Sequence, residues 1–424
     1  MMTRPVVIAG GNRTPFVKAG GAYAQASNRD LLTAALDGLV ARHGLAGQRL
    51  DEVAGGAVLK HSSDFNLTRE AVLGSALASS TPAVDLQQAC GTGLETVIYL
   101  ANKIALGQAD VGIAAGVDSA SDAPITVSDG LRRALLKASR AKTLPARLRA
   151  FSSIRPGQLL PVAPQVVEPR TGLSMGEHQA ATTRRWGITR QDQDELALAS
   201  HQHLAAAWAS GFFDDLVTGY LGVTRDGLLR PDTSLEKLAA LKPAFGGPEG
   251  TMTAGNSTAL TDGAAAVLLA DKDWAAAHGL PAWAHVVDAQ VAAVDHTSGD
   301  DLLLAPAHAV ARLLARQGMS LADFELYELH EAFASTVLAT LAAWESPSYC
   351  HDALGLDRPL GGIDRSRLNV TGSSLAAGHP FAATGGRITA TAAKLLHQRG
   401  SGARGLISIC AAGGQGVVAI LEAV

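Results

Sequence analysis

The chain has 424 residues, of which 47% are hydrophobic and 17% are charged, which indicates a folded protein with a large buried fraction and two or three domains. A net charge of −4 and an aromatic content of 4% argue against nucleic acid as a partner. No apolar run reaches the ~18 residues of a membrane span, and the run near the N-terminus is too short for a secretory signal, so we expect a cytoplasmic protein.

The first 118 residues alternate between strand and helix patterns. Apolar runs predict strands at 5–9, 52–59, 83–86 and 111–117. Apolar residues at helical spacing predict helices at 29–42, 67–78 and 94–105. This alternation is typical of a parallel-rich sheet covered by helices.

The pattern changes between residues 119 and 253. Leucines are interleaved there with basic residues in a stretch without acidic ones, namely Arg132, Arg133, Lys137, Arg140, Lys142, Arg147, Arg149 and Arg155. A proline-rich segment follows, and helices are predicted at 175–186, 190–210 and 232–242. We interpret residues 119–253 as an insertion carried by the first sheet.

A second alternating series follows the insertion. Strands are predicted at 264–270, 283–294, 324–329, near Asn369, at 404–410 and at 416–421, with helices at 306–317, 331–343 and 385–398. The order repeats that of the first half, which indicates two similar α/β halves: 1–118 plus 254–270, and 271–424. The loop before the third helix carries Cys90 in one half and His379 in the other, so the two helix N-termini are expected to face one cleft.

Cys90 lies where a strand hands over to a helix. At such a turn the free N–H groups and the helix dipole favour a thiolate, and Gly91 and Gly93 leave room for a bulky group. A small buried cysteine in a tight turn is the alternative. The chain has three cysteines, Cys90, Cys350 and Cys410, which lie far apart in the sequence and are therefore predicted to be free thiols. They lack Cys-x-x-Cys spacing, so no metal site is predicted.

Three further residues are candidates for chemistry. His379 stands between Gly378 and Pro380 on a rigid loop, where an imidazole can exchange protons near neutral pH. Cys410 ends an apolar strand before a small-residue hairpin tip. His330 is expected where a strand ends and a helix begins. A structural role is the alternative for each.

Four segments occur together in one order: QQACGTG (87–93), HEAF (330–333), GHPFAATG (378–385) and CAAGGQG (410–416). In this order and spacing the chain resembles the thiolases nearly end to end, including 175–177 and 253–264. It is most similar to the β-subunit type of fatty-acid oxidation complexes, since His330 replaces the usual Asn. The resemblance implies an α/β, thiolase-like fold: two similar βαβαβ-type halves packed as a layered α/β/α/β/α structure with an inserted loop domain.

The resemblance also implies ping-pong acyl transfer between coenzyme A thioesters. Cys90 would attack a 3-ketoacyl-CoA after passing its proton to His379, and Cys410 would protonate the acetyl-CoA enolate. The backbone N–H groups of Cys90 and Ala412 would hold one oxyanion. His379 with His330, or a water held by it, would hold the enolate oxygen. The predicted activity is that of a 3-ketoacyl-CoA thiolase of fatty-acid β-oxidation.

The resemblance implies no permanently bound cofactor and CoA as a co-substrate. The implied CoA contacts are Ser257, Thr258, Met175 and Ser174, the last at a position where many thiolases have His. The basic 132–155 stretch has three interpretations: a solvated face, a patch for CoA phosphates, or a basic helix that contacts a membrane or a partner. A homodimer or dimer of dimers and a hydratase/dehydrogenase α-subunit are the implied protein partners.

Three other functions remain open at this point. An acetoacetyl-CoA-forming biosynthetic thiolase would use the same residues. A decarboxylating ketosynthase shares the fold, but it normally has a His in the segment where this chain has Cys410. A non-catalytic acyl-CoA-binding scaffold would need neither cysteine.

Overall fold

One large mixed sheet with helices packed around it dominates the computed structural model, which describes residues 4–162, 164, 166–299 and 301–424. The N-terminal elements are β1 (Val6–Arg13), β2 (Val17–Lys18), α1 (Asn28–His43), β3 (Glu52–Gly55), α2 (Leu67–Gly74), β4 (Ala83–Asp85), α3 (Thr92–Ala105) and β5 (Val111–Ser119). The predicted strand and helix order of this half is confirmed.

The insertion consists of short hairpins and helices. They are β6 (Thr126–Val127), α4 (Asp129–Arg140), α5 (Leu144–Phe151), β7 (Pro161–Val162), α6 (Met175–Arg185), α7 (Arg190–Ala209), α8 (Leu235–Ala239), β8 (Pro243–Phe245) and β9 (Met252–Thr253). Helix α6 begins with a capping box between Ser174 and Glu177, which satisfies backbone N–H groups at its first turn.

The remaining elements return to the sheet. They are β10 (Thr261–Asp271), α9 (Lys272–Ala277), β11 (Ala284–Ala293), α10 (Ala305–Gln317), β12 (Leu326–Leu329), α11 (Ala334–Glu345), α12 (Pro347–Asp352), α13 (Ser374–Ala377), α14 (Ala383–Arg399), β13 (Arg404–Ala411) and β14 (Gln415–Ala423).

The sheet has the order β12-β13-β14-β11-β1-β10-β5-β3-β4, with β2 beside β10. The prediction of a parallel-rich sheet is wrong, because only β3–β4, β3–β5 and β12–β13 are parallel. Strand β10 returns after the insertion and lies antiparallel between β1 and β5. Strand β14 likewise lies antiparallel between β11 and β13.

Three apolar clusters define the layers. The central cluster joins Leu94 and Leu100 of α3 and Ile388 of α14 to strands of both halves. A second cluster packs α1 and α2 on the first half of the sheet, and a third packs α10 and α11 on the second half. The predicted α/β/α/β/α layering is therefore confirmed. Burial of each large aliphatic side chain in these clusters contributes about 1.5–3 kcal/mol to the stability of the fold.

Glycines let the two central helices meet at their N-termini. A Cβ on Gly93 would overlap the carbonyl oxygen of Ala382, and one on Gly385 would overlap the backbone of Leu94. A Cβ on Gly91 would lie 2.7 Å from Cγ2 of Val417 in β14. We expected Gly91 and Gly93 to admit a bulky ligand. Instead, the close approach that they permit is made by the chain itself.

Two predicted elements of the second half differ in the structure. Asn369 does not lie in a strand: it has a left-handed φ of 47°, and its side chain bonds the backbone of Leu329 on both sides. Helix α11 begins at Ala334, because 330–333 form a loop in which Ala332 accepts a hydrogen bond from Thr258 and Phe333 bridges to Ser257.

The insertion exposes most of the protein's large apolar surface side chains. Of nineteen such residues in the described chain, eleven lie between 125 and 166: Ile125, Val127, Leu135, Leu136, Leu144, Leu148, Phe151, Leu159, Leu160, Val162 and Val166. No helix among the described residues is long and apolar enough to cross a membrane.

Candidate active site

A cavity of about 280 Å³ brings together residues from distant parts of the chain. Cys90, His379 and Cys410 all line it, as does Ala412. The rest of its wall is formed by Val166, Ser174, Met175, Gly176, Phe245, Thr258, Ala259, Leu260, Leu303, Ala332, Phe333 and Phe381. One small, mostly apolar chamber therefore holds two thiols and an imidazole.

A strained turn positions Cys90 between β4 and α3. Ala89, directly before it, has a φ of 46°, a conformation that costs free energy in a residue other than glycine. Thr92 holds the turn, because its hydroxyl accepts from the backbone N–H of Gln88 at 2.8 Å and donates to the carbonyl of Ala89 at 2.7 Å. Local strain of this kind is typical of functional turns.

Burial in the cavity favours the protonated form of the Cys90 thiol. Burial raises the pKa of the thiol to about 12, and the backbone N–H groups of Ala412 and Cys90, both directed at the sulfur, offset only part of that shift. Asp118 raises the pKa further. Our prediction of a stabilised thiolate is thus wrong for the free protein, because burial outweighs the helix-start contribution.

His379 presents one ring nitrogen to the cavity region. Its Nδ1 lies 2.6 Å from the hydroxyl of Thr384, and its backbone N–H donates to Thr261 at 3.2 Å. Its Nε2 is buried and has no hydrogen-bond partner among the described residues. Burial and then the nearby Arg387 charge lower the pKa of His379 to about 3, so the imidazole is neutral and can accept a proton.

His330 lies beside His379 rather than in the cavity wall. The two ring centroids are 4.2 Å apart, and Nδ1 of His330 lies 2.8 Å from the hydroxyl of Ser374. Its Nε2 is also buried without a partner among the described residues. Burial, His379 and Arg387 all lower its pKa, so the structure pairs two neutral imidazoles.

The β13–β14 hairpin carries Cys410 near the end of β13 and Ala412 in its turn. Burial and then the neighbouring Cys90 raise the pKa of the Cys410 thiol, which leaves it as a proton donor. The turn is anchored on two sides, because Gly413 N donates to Glu168 at 2.6 Å and the side chain of Gln88 donates to Gln415 at 3.1 Å. The second anchor ties the turn directly to the loop of Cys90.

The four residues expected to contact CoA are only partly together. Ser174, Met175 and Thr258 line the cavity, whereas Ser257 does not and its hydroxyl is buried without a partner among the described residues. The hydroxyl of Ser174 is engaged with Glu177, and that of Thr258 donates to the carbonyl of Ser374 at 2.8 Å.

Several residues that shape the site were not predicted from the sequence. The buried carboxylate of Asp118 accepts from the backbone of Leu59 at 2.7 Å and of Ala382 at 2.9 Å, and burial raises its pKa to about 7. An acidic residue at the end of the buried strand β5 was a readable signal. The apolar walls gave none, because Phe245 and Phe333 meet only in the fold, with ring centroids 5.8 Å apart.

Comparison with known proteins gives concordant matches. Residues 6–273 match the family model described as Thiolase, N-terminal domain, and residues 280–423 match Thiolase, C-terminal domain. A 3-ketoacyl-CoA thiolase of Yersinia pestis (strain Pestoides F) is 41% identical, over 98% of this chain and 96% of its own length.

Two solved structures are similar over essentially the whole chain. The Bacillus anthracis acetyl-CoA acetyltransferase has a TM-score of 0.81 at 30% identity, covering 100% of both chains. Human mitochondrial 3-ketoacyl-CoA thiolase has a TM-score of 0.81 at 28% identity with the same coverage. A structure of that human protein in complex with CoA matches with the same TM-score and identity, covering 100% of this chain and 99% of that one.

Proposed function

Because the chain belongs to the thiolase family and is therefore an acyltransferase, we propose that it cleaves 3-ketoacyl-CoA with CoA, giving acetyl-CoA and a shortened acyl-CoA. The observation that carries the proposal is that Cys90, His379 and Cys410 line one chamber, with two backbone N–H groups directed at the Cys90 sulfur. The whole-length similarity to 3-ketoacyl-CoA thiolases supports this substrate class, and we infer a role in fatty-acid β-oxidation.

The first step forms an acyl-enzyme. The Cys90 sulfur bonds to the 3-keto carbon as its proton passes to Nε2 of His379. The resulting oxyanion accepts hydrogen bonds from the backbone N–H groups of Cys90 and Ala412. Burial raises the pKa of the Cys90 thiol and lowers that of the His379 imidazole, and an ion pair in an apolar chamber is costly. Proton transfer therefore accompanies sulfur attack instead of preceding it.

The carbon–carbon bond then breaks, and its electron pair forms the enolate of acetyl-CoA. Cys410 supplies the proton that the enolate carbon takes up, and His379 with His330 stabilises the enolate oxygen. The proton held by His379 then returns the Cys410 thiolate to a thiol. The CoA sulfur finally attacks the acyl-Cys90 thioester, its thiol proton passes through His379 to the departing Cys90 sulfur, and the shortened acyl-CoA is released. No permanently bound cofactor takes part, and CoA is a co-substrate that contacts Ser174, Met175 and Thr258 in the cavity wall.

The substrate range is tested by thiolysis of 3-ketoacyl-CoAs from C4 to C16. Because Phe245, Phe333 and Phe381 line the chamber with apolar surface, we expect CoA-dependent cleavage of chains longer than C4. The assay follows loss of the 3-ketoacyl-CoA and release of acetyl-CoA. Activity confined to C4 would favour the acetoacetyl-CoA-forming biosynthetic role, and absence of turnover with every chain length would favour the scaffold.

We also infer that the α4–α5 surface contacts anionic lipid. It combines the basic 132–155 stretch with exposed Leu135, Leu144 and Leu148. The interpretation as a CoA-phosphate patch is less favoured, because none of the basic residues of this stretch lines the cavity. The ion pairs of Arg132 and Arg133 with Asp129 are exposed and weak, so both cations remain free for phosphate headgroups.

Co-sedimentation with vesicles tests the lipid contact. Replacing Arg132, Arg133 and Lys137 with Gln is expected to weaken binding to phosphatidylserine-containing vesicles on the order of a hundredfold, at ~1 kcal/mol per basic residue. The matched control neutralises exposed Lys272, Arg312 and Arg358, which lie outside the insertion. Equal binding by both variants would remove the membrane idea and leave a hydratase/dehydrogenase α-subunit, or solvent, as the neighbour of this surface.

A second copy of the chain is the other partner that we infer. Strand β4, which leads into the Cys90 turn, forms one end of the sheet, so one of its edges is open for pairing. Light scattering on the protein used for the vesicle experiment is expected to give two or four chain masses. A monomer mass would overturn this inference.

A further inference from the structure

Behind His330 lies a short chain of hydrogen bonds that the proposed mechanism does not use. Nη2 of Arg387 donates to the hydroxyl oxygen of Ser374 at 3.0 Å, and that hydroxyl lies 2.8 Å from Nδ1 of His330. Arg387 also donates to Ser373 at 3.2 Å, but within the described part of the chain no hydrogen bond joins Ser373 to His330. The two neighbouring serines thus differ in one respect, which is contact with the imidazole.

The direction of these bonds fixes the position of one proton. A guanidinium only donates, and burial lowers the pKa of Arg387 no further than about 10, so Arg387 is a cation at neutral pH. The oxygen of Ser374 accepts from it, and the one acceptor for the Ser374 hydrogen among the described residues is Nδ1 of His330. Neutral His330 then carries its own hydrogen on Nε2.

We propose that Ser374 and Arg387 are positioning residues that hold His330 as the Nε2–H tautomer, a hydrogen-bond donor for the enolate oxygen formed beside His379. This inference rests on the proposed function. A buried N–H without an acceptor is unfavourable, and Nε2 of His330 has none among the described residues, which fits a donor awaiting an incoming oxygen.

The backbone around Ser374 is held from several sides. The buried carboxylate of Glu331 accepts from Leu375 N at 3.1 Å and from the hydroxyl of Ser200 at 2.7 Å, and Ser200 in turn accepts from Ser373 N at 3.1 Å. Thr258 bonds the carbonyl of Ser374. Three hydrogen bonds thus hold the buried backbone at the start of α13, and a rigid backbone keeps the Ser374 hydroxyl at a fixed position beside His330.

Burial of Arg387 is costly, and stability alone does not account for it. Its side chain is 4% exposed on α14, and its Nε has no partner among the described residues. The carboxyl group of Glu328 is buried and has no hydrogen-bond partner within the described chain, and burial raises its pKa to about 8. At neutral pH Arg387 is therefore only partly compensated, and its charge helps to keep both imidazoles neutral.

The test separates the enolate step from acylation. Ser374→Ala is expected to slow exchange of the acetyl-CoA methyl hydrogens with deuterated water, and thiolysis with it, roughly tenfold, the worth of one hydrogen bond. Acylation of Cys90 by acetyl-CoA should be unchanged, because its oxyanion uses the backbone donors. Ser373→Ala is the matched control and should behave as wild type. Ser374→Thr, which keeps the hydroxyl, should restore exchange.

Coupling to His330 gives a second measurement. In a His330→Phe background, adding Ser374→Ala should cause no further loss of exchange, because the serine acts through the imidazole. The inference is overturned if the losses multiply, if Ser373→Ala loses as much as Ser374→Ala, or if acylation falls in parallel with exchange. Wild-type protein that fails to acylate at all would instead overturn the proposed function.

Discussion

Cys90→Ala is expected to abolish thiolysis of 3-ketoacyl-CoA, with kcat lower by a factor on the order of 10⁴ or more. The Cys90 sulfur carries the acyl group between the two halves of the ping-pong cycle, and the backbone N–H groups of Ala412 and Cys90 interact with it. Steady-state thiolysis and acyl labelling, measured on the same preparation, should be lost together.

The control for this variant is Cys350→Ala. Cys350 is also buried, but it lies outside the cavity and its thiol donates to the carbonyls of Ala343 and Trp344. We expect a modest loss of stability and unchanged turnover. A Cys90→Ala protein that still cleaved acetoacetyl-CoA at the wild-type rate would contradict the mechanism.

Cys410→Ser is expected to separate the two half-reactions. Serine removes the proton donor for the enolate carbon while leaving Ala412 and the turn in place, so carbon–carbon bond chemistry should fall on the order of 10²- to 10⁴-fold. Acylation of Cys90 from an acyl-CoA should be largely kept. The two rates can be measured as acetoacetyl-CoA thiolysis and as single-turnover labelling of the protein.

The hairpin that carries Cys410 also shapes the oxyanion site. If Cys410→Ser lost acylation and thiolysis to the same extent, Cys410 would be a structural residue of the β13–β14 turn. Retention of full thiolysis would assign the proton donor to another group.

The placement of the main residues could be predicted from the sequence. The strand-to-helix position of Cys90 was visible in local apolar spacing, and the repeated strand–helix order put His379 on the equivalent loop of the second half. Helices α3 and α14 do meet at their N-termini, and both residues line one cavity. These features follow from periodicity and topology, which the sequence carries directly.

Properties that depend on surroundings could not be predicted. The raised pKa of Cys90 is set by burial in a cavity whose walls come from distant parts of the chain, so a helix-start argument taken alone gave the wrong direction. A strand was predicted near Asn369, but this residue has a left-handed conformation. Hydrogen bonds between its side chain and the backbone of Leu329 hold that conformation, and the local sequence does not show them. The hydrogen bonds that join His330, Ser374 and Arg387 likewise could not be predicted, because they link residues that the fold alone brings together.

The mass of the Cys90 peptide tests the central claim most directly. Protein incubated with acetyl-CoA, quenched in acid and digested, should carry one acetyl group on the peptide containing Cys90, and added CoA should remove it. An acetyl group on the Cys350 or Cys410 peptide, or an unmodified Cys90 peptide in protein that actively cleaves acetoacetyl-CoA, would contradict the account.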